Sequence, residues 1–217
     1  AVLNGEDSAF HKDMATAYEN ANFHLLGFLQ NATYRLTTAN KDLSTLADFK
    51  GLQIRTMENA NHMAFWTAIG AEPTPLAWPE VYFALQSGTI AAQENAADTC
   101  VGANFQEVQK YLACTNHILY CNQICMSKQA WDELDPAYQA ALNQAVNEAI
   151  AEMRPQLESI DQENKQKLVD GGMQLIEYSD DFYDEVLAVQ GVQDLYTKID
   201  GDVNGLATTL QESLANA

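Results

Sequence analysis

The stretch Asp48-Phe49-Lys50-Gly51-Leu52-Gln53-Ile54-Arg55 decides the fold of this chain. Leu52 to Thr56 alternates in character directly behind Gly51, the pattern of a strand with one covered face. The period then switches to helical over Asn61 to Ile69, with Gly70 as the stop. A second short helix is expected over Pro79 to Gln86, with Pro79 in its first turn and Gly88 past its end. Thr89 to Gln93 reads as the next strand. Strands alternating with helices in this way argue for an α/β sheet fold.

Working outward, Asp7 to Asn20 reads as a helix, and Phe23 to Leu29 and Tyr34 to Thr38 as strands. Phe105, Val108 and Leu112 lie at helical spacing, which predicts a helix over Asn104 to Leu112. His117 to Met126 is rich in apolar and β-branched residues and reads as a buried strand. Asp135-Pro136 opens a long helix, an N-cap acid before a first-turn proline. Its apolar residues run from Leu142 through Val146, Ile150, Met153, Leu157 and Ile160 to Leu168, with Pro155 predicting a kink and Gly171-Gly172 the end. Such a helix would reach about 50 Å at 1.5 Å per residue, longer than a small domain, so it is expected to run along or between two lobes. Met173 to Ile176 then reads as a strand, Asp180 to Leu187 as a helix capped by Ser179, and the remainder as helical.

Composition narrows the function. The chain has 217 residues and a formal net charge of -19, with 30 acidic residues against 11 lysines and arginines. That balance excludes a broad nucleic-acid surface and repels an anionic membrane. At 47% hydrophobic and 19% charged, the composition is that of an ordinary globular protein. No apolar run reaches the roughly 18 residues of a membrane-spanning helix. Nucleophile-elbow, dinucleotide, phosphate-loop and zinc-protease motifs are all missing, so no catalytic residue, cofactor or metal site is predicted.

A few residues stand out. Two of the three arginines, Arg35 and Arg55, fall in expected strands of the same half of the chain. A guanidinium fork there can take a carboxylate, although local ion pairs would explain it too. Gln93-Glu94-Asn95 ends a short strand, where amides can line a crevice or simply form a polar turn. Trp78 precedes a helix and could wall a pocket or pack in the core. Cys114, His117, Cys121 and Cys125 have a metal-like look, but positions four apart on a strand lie about 13 Å from one another, too far for shared zinc ligation. Buried thiols are the expectation for the cysteines. With Cys100 there are four, which allow three complete pairings and establish none.

These segments, together with Gly70-Ala71-Glu72-Pro73-Thr74-Pro75, Glu80 to Gly88, Phe105 to Leu112 and Thr115-Asn116-His117, occur in an order that resembles the solute-binding proteins of TRAP transporters, the dicarboxylate-binding (DctP-type) family. The resemblance covers roughly Leu25 to Ser179. It implies a two-lobed α/β periplasmic-binding-protein-like receptor of the TRAP type, with a long helix linking the lobes and the first lobe incomplete. The implied organisation is a first-lobe remnant over 1–28, a ligand-binding second lobe over 29–127, the connecting helix over 128–172, and a returning strand with C-terminal helices over 173–217. It further implies a periplasmic, non-catalytic receptor, with no signal peptide in this chain, that binds a small organic acid and hands it to the TRAP membrane permease subunits, driven by a sodium gradient.

By the same resemblance Arg55 pairs the ligand carboxylate, Arg35 and Asn95 assist, and Trp78 lines the pocket. Glu58 falls on a ligand-side position that varies with substrate, and Asn122 on a later strand facing the cleft. Ala91-Ala92 and Ala96 depart from the family's usual Asp-Gly and Pro around the Gln-Glu-Asn motif. Two alternatives accompany this reading: a fragment that no longer binds ligand and forms a homo-dimer over its open face, and a carboxylate-based enzyme.

Overall fold

In the computed structural model residues 3–4 and 8–215 are described. In chain order the elements are α1 (Ala9–Asn20), β1 (Phe23–Tyr34), β2 (Leu36–Ala39), β3 (Gln53–Thr56), α2 (Ala60–Ala68), β4 (Glu72–Pro75), α3 (Trp78–Ser87), β5 (Ala92–Asn95), α4 (Ala97–Gly102), β6 (Tyr111–Ala113), β7 (Leu119–Ser127), α5 (Lys128–Asp132), α6 (Pro136–Met153), α7 (Leu157–Asp170), β8 (Gln174–Ile176), α8 (Asp180–Ala188), α9 (Gln190–Asp202) and α10 (Leu206–Ala215). The chain divides into two compact units. One comprises residues 1–31, 121–157 and 199–217, the other 32–120 and 158–198.

The second unit carries a six-stranded sheet of order β4-β3-β5-β2-β6-β8. β3 runs parallel to β4 and β5, while β2 runs antiparallel to both β5 and β6. Side chains alternate across a strand, so this register sorts the sheet into two faces. Ile54, Ala92, Ala39 and Ala113 share one face with Phe49, Trp66, Phe182 and Val192. Leu36 and Leu112 belong to the other, with Val81, Leu85, Cys100, Phe105 and Leu168. Both faces of β5 are covered, and all four of its residues are buried.

The predicted helix start at Asp135-Pro136 acts as expected, with Asp135 accepting from Ala137 N at 2.8 Å. Ser179 holds the N-cap position of α8 as predicted but makes no side-chain capping hydrogen bond. Ser8, which accepts from the His11 N–H, and Asn59 cap α1 and α2 without having been singled out in the sequence. Gly88 ends α3 in the left-handed region at φ 74°, a conformation glycine adopts without a Cβ penalty. Pro155 breaks the long helix into α6 and α7 through a 3-10 turn over Arg154–Gln156, and the chain passes from one unit to the other just beyond it. The first residue of the expected N-terminal helix, Asp7, lies outside the described residues.

Other expectations are corrected. Phe23–Tyr34 is one strand, and Arg35 separates it from β2, which enters the other sheet. The strand expected over Thr89 to Gln93 runs instead over Ala92–Asn95, because the chain bends after Gly88 before pairing. No helix spans Asn104 to Leu112. Asn104 sits at φ 55° and closes the preceding helix, Phe105–Glu107 form a 3-10 turn, and Leu112 belongs to β6. Phe105 and Leu112 reach the same core from a turn and a strand, which mimics the spacing of a helix face. β7 is not buried: it pairs with β1 alone, and none of its residues is fully covered. Buried thiols occur at Cys100 and Cys114, whereas Cys121 is half-buried and Cys125 exposed, and all four are unpaired.

The core of the sheet unit centres on Phe49, 0% exposed, with ring centroids 5.9 Å from Trp66 and 6.2 Å from Phe182. Phe49→Ala removes a whole ring from this stack. It is expected to cost about 3–5 kcal/mol of stability, read as a lower midpoint in urea at unchanged slope.

Candidate functional site

Two side-chain clusters lie on opposite faces of the sheet, on its inner strands β3, β5 and β2. On one, Arg55 of β3 stands opposite Gln93 of β5, and Asn95 lies two residues further on the same face. On the other, Glu94 of β5 stands opposite Thr37 of β2, and Arg35 precedes Leu36 with the parity to join it.

Arg55 is 5% exposed and is held by neutral groups. Its Nε and Nη2 both donate to the Leu76 carbonyl, at 2.9 and 2.7 Å. Its Cζ lies 5.6 Å from the centre of the Trp78 ring, within cation–π range. Trp78 is the first residue of α3 and packs edge-on against Phe105 at 5.7 Å. Nη1 of Arg55 makes no hydrogen bond to another described residue. Burial lowers the pKa of Arg55, Glu94 raises it and the Arg35 charge lowers it again. Arg55 is therefore a fixed cation whose own ion-pair position is open. Asn95 gives one Nδ2 proton to Gln93 Oε1 at 3.0 Å, and Gln93 donates in turn to Thr38 Oγ1 at 2.9 Å. The second Nδ2 proton of Asn95 remains available.

Glu94 is the residue that the sequence reading passed over. It is 0% exposed, yet it is charged. Arg35 Nη1 donates to both of its oxygens at 2.8 Å, which leaves Arg35 Nε and Nη2 free of described partners. His62 Nδ1 of α2 lies 3.4 Å from Oε1, and His117 Nε2 lies 3.3 Å from Oε2. Burial alone would raise the Glu94 pKa. Hydrogen bonds from His117 and His62, with the Arg35 charge, outweigh it and hold the carboxyl well below the usual range. Burial lowers the His117 pKa despite Glu94, so the ring is neutral at pH 7.

The proton positions follow. A carboxylate only accepts, so Nε2–H of His117 donates to Glu94 and Nδ1 accepts. Thr115 Oγ1, 3.0 Å from Nδ1, must then donate to it, and Thr37 Oγ1 donates to Thr115 at 2.9 Å. Phe65 stacks on the His117 ring at 5.5 Å, and Trp66 meets it edge-on at 4.8 Å. A polar residue between Gln93 and Asn95 on a doubly covered strand was the available signal. Its parity puts it on the face away from both amides, where only a cation can match it.

The remaining candidates are placed differently. Glu58 is exposed, in the loop between β3 and α2. Asn122 is exposed on β7 and belongs to the other unit, so it is not part of either cluster.

With that geometry in hand, the chain matches the family described as bacterial extracellular solute-binding protein, family 7 (DctP), over residues 2–199, and it belongs to that family. A solute-binding protein of Verminephrobacter eiseniae is 31% identical over 83% of this chain and 53% of its own length. The 2,3-diketo-L-gulonate-binding periplasmic protein YiaO of Escherichia coli is 32% identical over 76% of this chain and 49% of its own. A crystal structure of a TRAP periplasmic solute-binding protein from Chromohalobacter salexigens, with bound D-glucuronate, superposes with a TM-score of 0.85 at 26% identity, covering 95% of this chain and 68% of that one. The chain spans about half the length of the curated relatives it matches. The α/β fold of a TRAP-type binding protein, expected from the sequence, is thus the observed one, and the family is one of solute-binding proteins rather than enzymes.

The buried carboxylate has a measurable signature. A depressed carboxylate pKa contributes stability that is complete above its unfolded value and is lost as pH falls through the folded one. A histidine with a lowered pKa also favours the fold more at higher pH. Unfolding free energy should therefore fall on acidification, first below about pH 6.5 from His117 and then below about pH 4.5 from Glu94. In urea titrations across this range His117→Asn should flatten the first part and Glu94→Gln the second. Glu94→Gln should also cost about 3–5 kcal/mol at pH 7, because it leaves Arg35 buried without its counter-charge.

Proposed function

We propose that this chain is the ligand-binding part of a periplasmic TRAP receptor. It takes up a small organic acid and delivers it to the sodium-coupled membrane permease. The observation that carries this reading is Arg55: a buried guanidinium fixed by a carbonyl and an aromatic ring, with Nη1 unspent and no carboxylate of its own. Such a group is arranged in advance for an anion, and little ordering is left to be done on binding.

In this proposal Arg55 pairs the ligand carboxylate. Asn95 donates its second amide proton on the same sheet face. Arg35 supports the site with the donors that Glu94 leaves unused. Trp78 supplies the apolar wall, and Glu58 meets other substituents of the ligand. All five lie within residues 29–127, the segment proposed as the ligand-binding lobe. Relatives that bear the names of sugar acids support the ligand class, and the periplasmic location of the relatives supports the same compartment here.

Calorimetry of the full-length protein against a panel of carboxylates, hexuronates among them, tests this assignment. A charged hydrogen bond is worth about 1.5–3 kcal/mol, so Arg55→Ala should weaken the best acid by about tenfold to a hundredfold for each bond lost. Equal affinity in that variant would remove Arg55 from the site. Arg55→Lys should recover only part of the loss, since an ammonium cannot reproduce the fork.

A further inference from the structure

Both groups that hold Arg55 come from one short piece of chain. The Leu76 carbonyl takes its Nε and Nη2 protons, and the Trp78 ring centre lies 5.6 Å from its Cζ. The piece begins as β4, an edge strand whose one partner in the sheet is β3. A strand held from one side opens more readily than the strands inside a sheet. An opening here would carry the carbonyl and the ring away from Arg55 together.

The sequence of β4, Glu72-Pro73-Thr74-Pro75, opposes such an opening. Glu72 N donates to Leu52 O at 2.8 Å, and Leu76 N donates to Thr56 O at 3.2 Å. Backbone groups alternate in direction along a strand, so residues 72, 74 and 76 turn theirs towards β3, and positions 73 and 75 face the open edge. The two prolines therefore stand where a missing N–H removes no bond from the ladder. Each fixes its own φ at about −65° and restricts the residue before it to extended conformations. All four residues ahead of Leu76 are thus biased towards the strand even while the ladder is open. Pro75 is exposed and Pro73 half-buried, and neither belongs to the two apolar cores. What they contribute is backbone stiffness rather than packing.

We propose that Pro73 and Pro75 are positioning residues for the carboxylate site: they stiffen the arm from Glu72 to Trp78, so that Leu76 and Trp78 hold the Arg55 fork in place before a ligand arrives. The role rests on the assignment of Arg55 to the ligand carboxylate, which the Arg55→Ala calorimetry tests. The hold itself is measured without ligand, so the two can fail independently.

Rotation about the Cζ–Nε bond of Arg55 reports the hold directly, because it must break the Nη2 bond to Leu76. Its rate is read from exchange between the two Nη resonances in nitrogen-15 NMR of the chain, with the Arg55 signals assigned by their loss in Arg55→Lys. In the unaltered chain the rotation should be slower at Arg55 than at the exposed Arg154. Replacing a proline by alanine at a compatible site favours open states by about twofold to fivefold. Pro75→Ala should therefore speed the Arg55 rotation by about twofold to fivefold, and Pro73→Ala combined with Pro75→Ala by about fourfold to twenty-fivefold. Pro75 is exposed, so the single variant keeps the test open even where the double variant fails to fold. Pro136→Ala changes a proline of α6 in the other unit and should leave the rate unaltered. Rotation at Arg55 as fast as at Arg154, no acceleration in Pro75→Ala, or an equal acceleration in Pro136→Ala would each overturn the proposal.

Discussion

Glu94 is ionised at the centre of a sheet with no exposed surface, and the surrounding polar structure is arranged around that charge. Moving a carboxylate from water into such a site carries an idealised cost of order 20 kcal/mol, which is recovered only when the charge is matched and its lone pairs are filled. Arg35 supplies the charge. His62, His117 and the Thr37–Thr115 pair behind His117 supply and orient the remaining hydrogen bonds. The elements that meet here are β2, β5, α2 and the segment after β6. One buried carboxylate therefore fixes the mutual register of four pieces of chain, each of which has an apolar reason to be in place and a polar reason not to slip.

The pairing also settles the charge arithmetic around β5. Two guanidiniums and one carboxylate leave one unit of positive charge. Glu94 takes Arg35 by direct contact, so the surplus resides on Arg55, whose partners are a neutral carbonyl and a ring. The chain as a whole carries -19. At long range an anion is repelled, but that field is screened over about 8 Å in physiological salt. Inside that distance the local surplus governs. A strongly acidic protein can thus hold an anion site, provided that the carboxylate nearest to it is already spent on another cation.

Much of this was legible in the sequence. The strand behind Gly51, the helix stops at Gly70 and Gly88, the Asp135-Pro136 start and the Pro155 break are local signals, and local backbone chemistry enforces them. The arginines and Asn95 could be singled out because cations are scarce and the Gln-Glu-Asn motif is specific. What could not be read was tertiary. Phe105 and Leu112 share a core from different elements, so their spacing imitated a helix. β7 looked buried because apolar content does not tell how many neighbours a strand has. Glu94 was hidden by its flanking amides, although strand parity places it on the opposite face. Its partners His62 and His117 come from positions distant in the chain, and nothing local links them.

The direction of the hydrogen bonds adds a final constraint. From Thr37 through Thr115 and His117 every proton points towards Glu94, a polarity that holds only while the carboxylate is charged and the imidazole neutral. A proton on Glu94 would weaken its hold on Arg35 and give His117 Nε2 a poorer acceptor. Arg35 would then keep its charge without its counter-ion and would be driven to seek another anion. The pair is thus more than an anchor. By holding Arg35 through Nη1 alone, Glu94 keeps that side chain in position while its remaining donors stay unspent. Because the same carboxylate already neutralises Arg35, those donors add hydrogen-bonding capacity without adding to the positive charge of Arg55.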